Sequence, residues 1–484
     1  MGSRKSQRVS VMGDSSKSGA VRLRSSPNSN SMLLRNIFDL PRPLFAILIF
    51  VISLFVVLPI FNQGDLNHTV VSSYAYLKGN IFNFYDYNQP ILWGNDYLPI
   101  LYIIFALWMA PYFYSGLPVA SELIGPFSLQ PGEIAILSPG EIIWAKLLLV
   151  LFFFASVLIL YRIAKLIHPN NLNSQSVVLW SYVLSPFALI SFGVFSQYDI
   201  MGVVFTLWAV LVFLQKRMLA FAVLIGVALT FKFFAGLLVA PLLLLGNKRI
   251  RDIVGFGLIA AAPVILQFAM YWSNEAFRGR IFTQLISKSG GAATSWEAYA
   301  AVLAYVAICI SAYYSNHWKG TFEQKTVFFI VSSYGILLSV VVWHPQWVII
   351  LTPFIALVTG FLARPWAWLL WESIAFVAFV GYTVTYFIGN VDGTMIQKGA
   401  LSTSFPQPGV TMASLFPPDL TPLLLTVTEL FYVSAGLVLL FRIFRKSNRE
   451  GKVPGLIFTV RSLTIWAAFI VPAFIAVYSV AAVV

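Results

Sequence analysis

From Leu44 to the C-terminus the chain is a succession of apolar runs, each about 15–25 residues long, separated by short polar breaks. Runs of this length cross a hydrocarbon core as helices, whereas in water they would leave more apolar surface than a soluble domain can bury. Of the 484 residues, 59% are hydrophobic and only 10% charged. An assembly of soluble domains is thereby excluded, and the expected fold class is all-α, a polytopic membrane protein. The net charge of +13 collects in short basic segments between apolar runs, the pattern of cytoplasmic loops, so nucleic acid is not an expected partner. Cys309 is the only cysteine, which excludes an intrachain disulfide, a cysteine-cluster metal site and an iron–sulfur centre.

Residues 1–43 are rich in Ser, Asn, Lys and Arg and lack the apolar content needed to fold, so a disordered basic cytoplasmic tail is expected there. The remainder, 44–484, reads as one polytopic unit with its first span at 44–62. With the tail inside, 63–140 becomes a large external segment. Its apolar run Leu98–Ala110 is about 13 residues, roughly 20 Å of helix against a ~30 Å core, and is expected to lie on the membrane surface. Spans then follow at 142–161, 177–194 and 200–215. The stretch 218–246 is interrupted only by Lys232, and two short helices turning there keep both flanking basic clusters inside. Further spans at 253–272, 298–314, 327–343, 347–362, 366–388, 420–441 and 458–482 bring the expectation to about thirteen, with external loops near 273–297, 344–346 and 389–419.

Ionisable groups are costly in hydrocarbon, and here they concentrate on the expected external face. Asp65, His68, Asp86 and Asp96 lie in the first external segment, Asp199 ends a helix, and Lys232 caps the hairpin. Glu275, Arg278, Arg280 and Lys288 occupy a later loop, and His344 tops another span. Carboxylates beside cations at a membrane surface suit removal of a proton from a hydroxyl next to a lipid phosphate.

Three motifs, with a fourth in support, carry a resemblance. Trp93-Gly94-Asn95-Asp96-Tyr97-Leu98-Pro99 resembles the Trp-Gly-x-Asp-Tyr-Pro-Pro run of the dolichyl-phosphate-glucose glucosyltransferases. Phe195-Ser196-Gln197-Tyr198-Asp199 is similar to their Phe-Gln-Tyr-Asn/Asp element, and Trp343-His344-Pro345-Gln346-Trp347 to their His-Glu-Lys element and its His-Pro-Gln form in related mannosyltransferases. Lys232-Phe233-Phe234 resembles the Lys-aromatic hairpin of this GT-C group of polytopic sugar transferases. Order and spacing agree over 44–357; Leu98, Asp199 and Pro345-Gln346 depart from the pattern and bear on sugar and acceptor rather than on reaction class.

The resemblance implies that Asp96 is the general base of an inverting transfer, in which one carboxylate deprotonates the attacking hydroxyl while a phosphate leaves from the opposite face of the sugar. The bland alternative is an N-cap before the surface helix. Asp86 and Asp65 are rival bases, and Asp199 either orients the loop of Asp96 or binds acceptor hydroxyls. Lys232 and His344 are expected at the donor phosphate, against a snorkelling lysine and an interfacial histidine. The guanidinium forks of Arg278 and Arg280 suit phosphate too, although they are also ordinary loop residues. Trp93, Tyr97 and Gln197 complete the expected substrate contacts, while most other aromatics fit an interfacial belt.

No acid-pair motif for a divalent ion and no Gly-rich nucleotide loop is present, so no metal or cofactor is expected and the donor is expected to be lipid-borne. The expected function is transfer of a hexose, mannose or glucose, from a polyprenyl-phosphate carrier to a hydroxyl of a lipid-linked glycan or similar acceptor at the external or luminal face. A lipid or solute transporter and an O-antigen ligase or polymerase with a lipid-diphosphate donor are the alternatives. Asn67-His68-Thr69 is a glycosylation sequon, and both an ER membrane and a prokaryotic plasma membrane stay open.

Overall fold

The computed structural model describes residues 43–88, 96–117, 119, 137–281, 296–338, 344–387, 394–402 and 417–444. The expected tail, the expected span 458–482 and Trp93 lie outside the described residues. Every regular element among the described residues is helical. In chain order the principal ones are α1 (Pro43–Ile60), α2 (Gly64–Leu77), α3 (Pro99–Phe113), α4 (Pro139–Ile167) and α5 (Leu172–Val183). A short turn, Pro186–Leu189, then runs into a π-helix, Ile190–Val194. Next come α6 (Asp199–Leu214), α7 (Met218–Phe231), α8 (Gly236–Gly246), α9 (Ile250–Tyr271), α10 (Trp296–Tyr314) and α11 (Phe322–Leu338). The last are α12 (Thr352–Gly360), α13 (Pro365–Tyr386) and α14 (Thr421–Phe444).

Burial follows the logic of a lipid solvent. Along α9 and α10 large apolar side chains point outward, with Ile250 74% and Leu303 69% exposed, whereas Lys146, Glu141 and Glu372 are buried between helices. Six helices among the described residues are long and apolar enough to cross a membrane, and a seventh is counted if α1 and α2, bent by 67°, form one broken span. α3, α6, α7 and the stretch Phe233–Gly246 are apolar but shorter.

The expected span 347–362 is instead a 3-10 turn, Pro345–Ile350, followed by the 9-residue α12, because Pro345 and Pro353 each remove a backbone donor near a helix start. α12 is buried throughout. α4 is longer than the expected 142–161, because a capping box starts it three residues earlier: Ser138 Oγ accepts from Glu141 N–H (3.3 Å) and Glu141 Oε2 from Ser138 N–H (2.7 Å). α2 was not expected at all. It is only 14 residues long and carries Asp65, Asn67, His68, Thr69, Ser72 and Ser73, so it lies at the end of the bundle rather than through it. Tyr74 Oη donates to Glu141 Oε1 (2.6 Å), fastening α2 to α4.

The hairpin at Lys232 is present. A Cβ on Gly246, at the end of α8, would lie 3.2 Å from the Met218 side chain at the start of α7, so the two helices run antiparallel. The ends of α1, α7 and α9 and the starts of α2, α3 and α6 therefore share one end of the bundle. At the other end Lys248 Nζ donates to the carbonyls of Leu244 (2.7 Å) and Tyr313, and Lys325 Nζ to that of Ser315 (2.8 Å).

Candidate functional site

The chain leaves α7 at Lys232 in an extended conformation, φ −151° and ψ 128°, before a 3-10 turn leads into α8. That break faces the first residue of α6, Asp199, where a carboxylate is favoured by the helix N-terminus. Lys232 Nζ lies 3.2 Å from Asp199 Oδ1 and donates to Tyr97 Oη at 3.2 Å. It also stands 4.7 Å from the Tyr97 ring centroid and 5.8 Å from that of Trp347. The lysine side chain is 15% exposed and the aspartate 1%, so the ammonium is the open side of the pair. A small pocket of about 10 Å³, room for roughly one water molecule, adjoins it, lined by Asp199, Gly202, Thr206, Lys232, Phe234 and Tyr334.

Tyr97 is held from all sides. Its N–H donates to Tyr102 Oη (3.4 Å), its carbonyl accepts from Tyr85 Oη (2.7 Å), and its ring meets Tyr198 edge-on at 5.2 Å. Burial pushes the Tyr97 phenol up; the Lys232 ammonium opposes this, and the Asp65 and Asp199 carboxylates reinforce it. Tyr198 is likewise pushed up, by burial and then by Tyr97 and Asp65. Both tyrosines thus lie within the field of Asp65, in the first turn of α2.

Asp96 lies on another side of Tyr97. It is not a cap, because Leu98 occupies the N-cap position of α3 and makes no side-chain capping bond. Burial and then the Asp96 carboxylate push the Tyr102 phenol up, while Arg280 acts in the opposite sense, so Asp96 and Arg280 both neighbour Tyr102. Arg278 donates to the Trp272 carbonyl, and Asp86, which is exposed, accepts from Asn274 Nδ2 (2.5 Å). Arg278 thus caps its own turn, and Arg280 acts on Tyr102, which accepts from Tyr97 N–H. His344 packs 4.6 Å from the ring of Trp347, which places it one aromatic ring away from Lys232.

Gln197 is buried, its Oε1 accepting from Tyr198 N–H (3.1 Å). Its Nε2 has no hydrogen-bond partner among the described residues, which leaves it a donor for a ligand. Ser196 before it adopts φ +52° while fully enclosed, a left-handed conformation that turns the chain toward Tyr198.

Sequence reasoning missed Lys398. The segment 394–402 docks on the turn between α1 and α2: Asn62 N–H donates to the Met395 carbonyl (2.9 Å), Asn62 Nδ2 to the Lys398 carbonyl (3.2 Å), and Leu401 N–H to the Pro59 carbonyl (3.3 Å). Burial lowers the Lys398 ammonium and Asp65 opposes the shift, which places the two in one field. Burial and then Lys398 hold His68 down to about 4. Only the position of Lys398 in an expected external loop hinted at this. Among the described residues no group of three His, Cys, Asp or Glu is placed to hold a metal ion.

Fold and site together define a polytopic all-α membrane protein with a lysine–aspartate pair and crossed tyrosines gathered at one end of the bundle. Among solved structures the chain is similar to ArnT from Cupriavidus metallidurans bound to undecaprenyl phosphate, with a TM-score of 0.43 and 12% identity, covering 90% of this chain and 77% of that one. For the apo state of the same protein the TM-score is 0.42 and the identity 13%, covering 88% and 77%. No family model and no curated protein matches.

Proposed function

We propose that this chain is an inverting GT-C glycosyltransferase that moves a hexose from a polyprenyl-phosphate carrier to a hydroxyl of a lipid-linked acceptor at the external or luminal face. The observation that carries the reading is the convergence of three separate motifs on one ammonium: Tyr97, Asp199 and Trp347 all surround Lys232. An ammonium has three protons. Asp199 and Tyr97 engage two, and the third is left for the donor phosphate on the exposed side of the ammonium. His344, behind Trp347, and the free Nε2 of Gln197 are further donors for the phosphate or the sugar.

In the reaction the acceptor oxygen forms a bond to the anomeric carbon, the bond from that carbon to the phosphate oxygen breaks, and the acceptor's proton passes to a carboxylate. Asp96 carries the motif for that base. Asp65 is supported by electrostatics: its charge acts on the phenols of Tyr97 and Tyr198, the first of which hydrogen-bonds Lys232, whereas the charge of Asp96 acts on those of Tyr85 and Tyr102. We take Asp65 as the base and Asp96 as the second reading.

The test offers radiolabelled mannosyl and glucosyl polyprenyl phosphates to purified protein with membrane extract. Asp65→Asn is expected to lose about 10²–10⁴-fold in transfer with donor binding retained, and Asp96→Asn less than about tenfold. The reverse order assigns the base to Asp96. Normal turnover in both variants, or ion-coupled flux without a covalent product, overturns the reading.

A further inference from the structure

Lys146 is the most deeply enclosed cation among the described residues, with none of its surface exposed, and no carboxylate pairs with it there. It sits in α4, two turns into the bundle. Its ammonium is satisfied by main-chain oxygens alone: Val57 at 3.5 Å, Leu58 at 3.1 Å and Phe61 at the end of α1, and Gly193 at 2.8 Å in the π-helix. Val57 O also accepts from Phe61 N–H (3.2 Å), but the later carbonyls of a helix C-terminus and those of a widened π-turn lack their usual α-helical donors, so a cation between them answers a real deficit. A buried charge without a countercharge is expensive. Apolar packing would join α1 to the π-helix at lower cost, so the charge has to be explained by what it holds in place.

The two segments it joins both lead into the site. Four residues beyond Phe61 stands Asp65, and six beyond Gly193 stands Asp199. The π-helix is tied onward as well, since Ser191 Oγ donates to the Gln346 carbonyl at 2.5 Å, beside His344 and Trp347. We infer that Lys146 is a positioning residue: it fixes the turn carrying Asp65 against the loop carrying Tyr198 and Asp199, and so sets the distance between the proposed base and the phosphate held at Lys232. This rests on the function proposed above for its catalytic consequence, but not for its geometric one.

The same structure supplies a reversible substitute for the lysine. A Cβ built on Gly193 lies 3.8 Å from the Cβ of Val57, which is about the 3.8 Å spacing of a disulfide. In a C309S background, which removes the only native cysteine, the pair V57C and G193C is oxidised with and without K146M.

Two readouts follow. Cross-linking yield needs no activity: it is expected to be high with Lys146 present and to fall at least about threefold in K146M, as the two segments drift apart. Turnover is the second: K146M alone is expected to lose about 100-fold in kcat, the cost of roughly 1 Å of misplacement, with donor KM changed less than about threefold. Forming the disulfide in that variant restores most of kcat, and reducing it removes the gain. An unchanged cross-linking yield in K146M overturns the inference, as does a complete cross-link that leaves kcat low. If the native chain shows no transfer, the proposed function fails while the cross-linking result still decides the role of Lys146. K146Q, which keeps one donor, carries both readouts should K146M not fold.

Discussion

Ser196 shows how much a single backbone angle contributes to the site. An L-residue at φ +52° pays a steric cost that glycine does not, and here it directs Gln197 and Tyr198 into the cluster. Ser196→Gly is expected to leave transfer intact and to raise stability by up to about 1 kcal/mol. Ser196→Val, branched at Cβ, is expected to cost about 1–3 kcal/mol and to lower transfer. Thermal unfolding in detergent, paired with a turnover assay, checks both, and a valine variant as stable as the parent would remove the argument. Lys232 makes a complementary point: its ion pair with Asp199 joins the hairpin turn to the start of α6, and the ammonium is the more exposed partner.

Elements arrive at the site by different routes, and only some announce themselves. The hairpin at Lys232 was legible because charge alternation forbade a single long helix. The start of α4 was legible in principle, since Ser138 and Glu141 spell a capping box, but the apolar run alone points three residues too late. α2 was not legible because its buried face carries Asn67, His68, Ser72 and Ser73, whose partners are other segments rather than water; a polar stretch of this kind reads as loop. The motif residues Tyr97, Asp199, Lys232 and Trp347 were legible one by one, whereas the action of Asp65 on Tyr97 depends on the 67° bend between α1 and α2, whose angle the local breakers Pro59 and Gly64 do not specify. The docking of 394–402 is the least legible, and it is testable. A Cβ on Gly399 would stand 2.0 Å from the Ile60 carbonyl oxygen, so Gly399→Ala must push the segment off the α1–α2 turn. The expected result is at least about tenfold weaker transfer with a lower unfolding midpoint, and a variant with wild-type turnover would show that the docked segment is dispensable.

For the whole molecule, two histidines near opposite ends of the bundle link stability to acid. Burial holds both His68 and His168 down to about 4, with Lys398 adding to the effect at His68. The fold therefore prefers neutral imidazoles, while the unfolded chain takes up protons near pH 6.5. Their contribution is complete above about pH 6.5 and is lost as the pH falls toward 4, by up to about 3 kcal/mol for His68 and less for the partly exposed His168. Unfolding midpoints measured from pH 7.5 to 4.5 are expected to drop in the parent and to flatten in His68→Asn and His168→Asn; superimposable curves would contradict this.

The junction of Asn62 with Lys398 joins positions 336 residues apart, and that separation is also an interval of time. At roughly 5–20 residues per second of synthesis, about 17–67 s pass between the emergence of the first partner and that of the second. Throughout that interval the newborn membrane chain carries the α1–α2 turn without the segment that later docks on it, so this junction cannot close until the final third has been made.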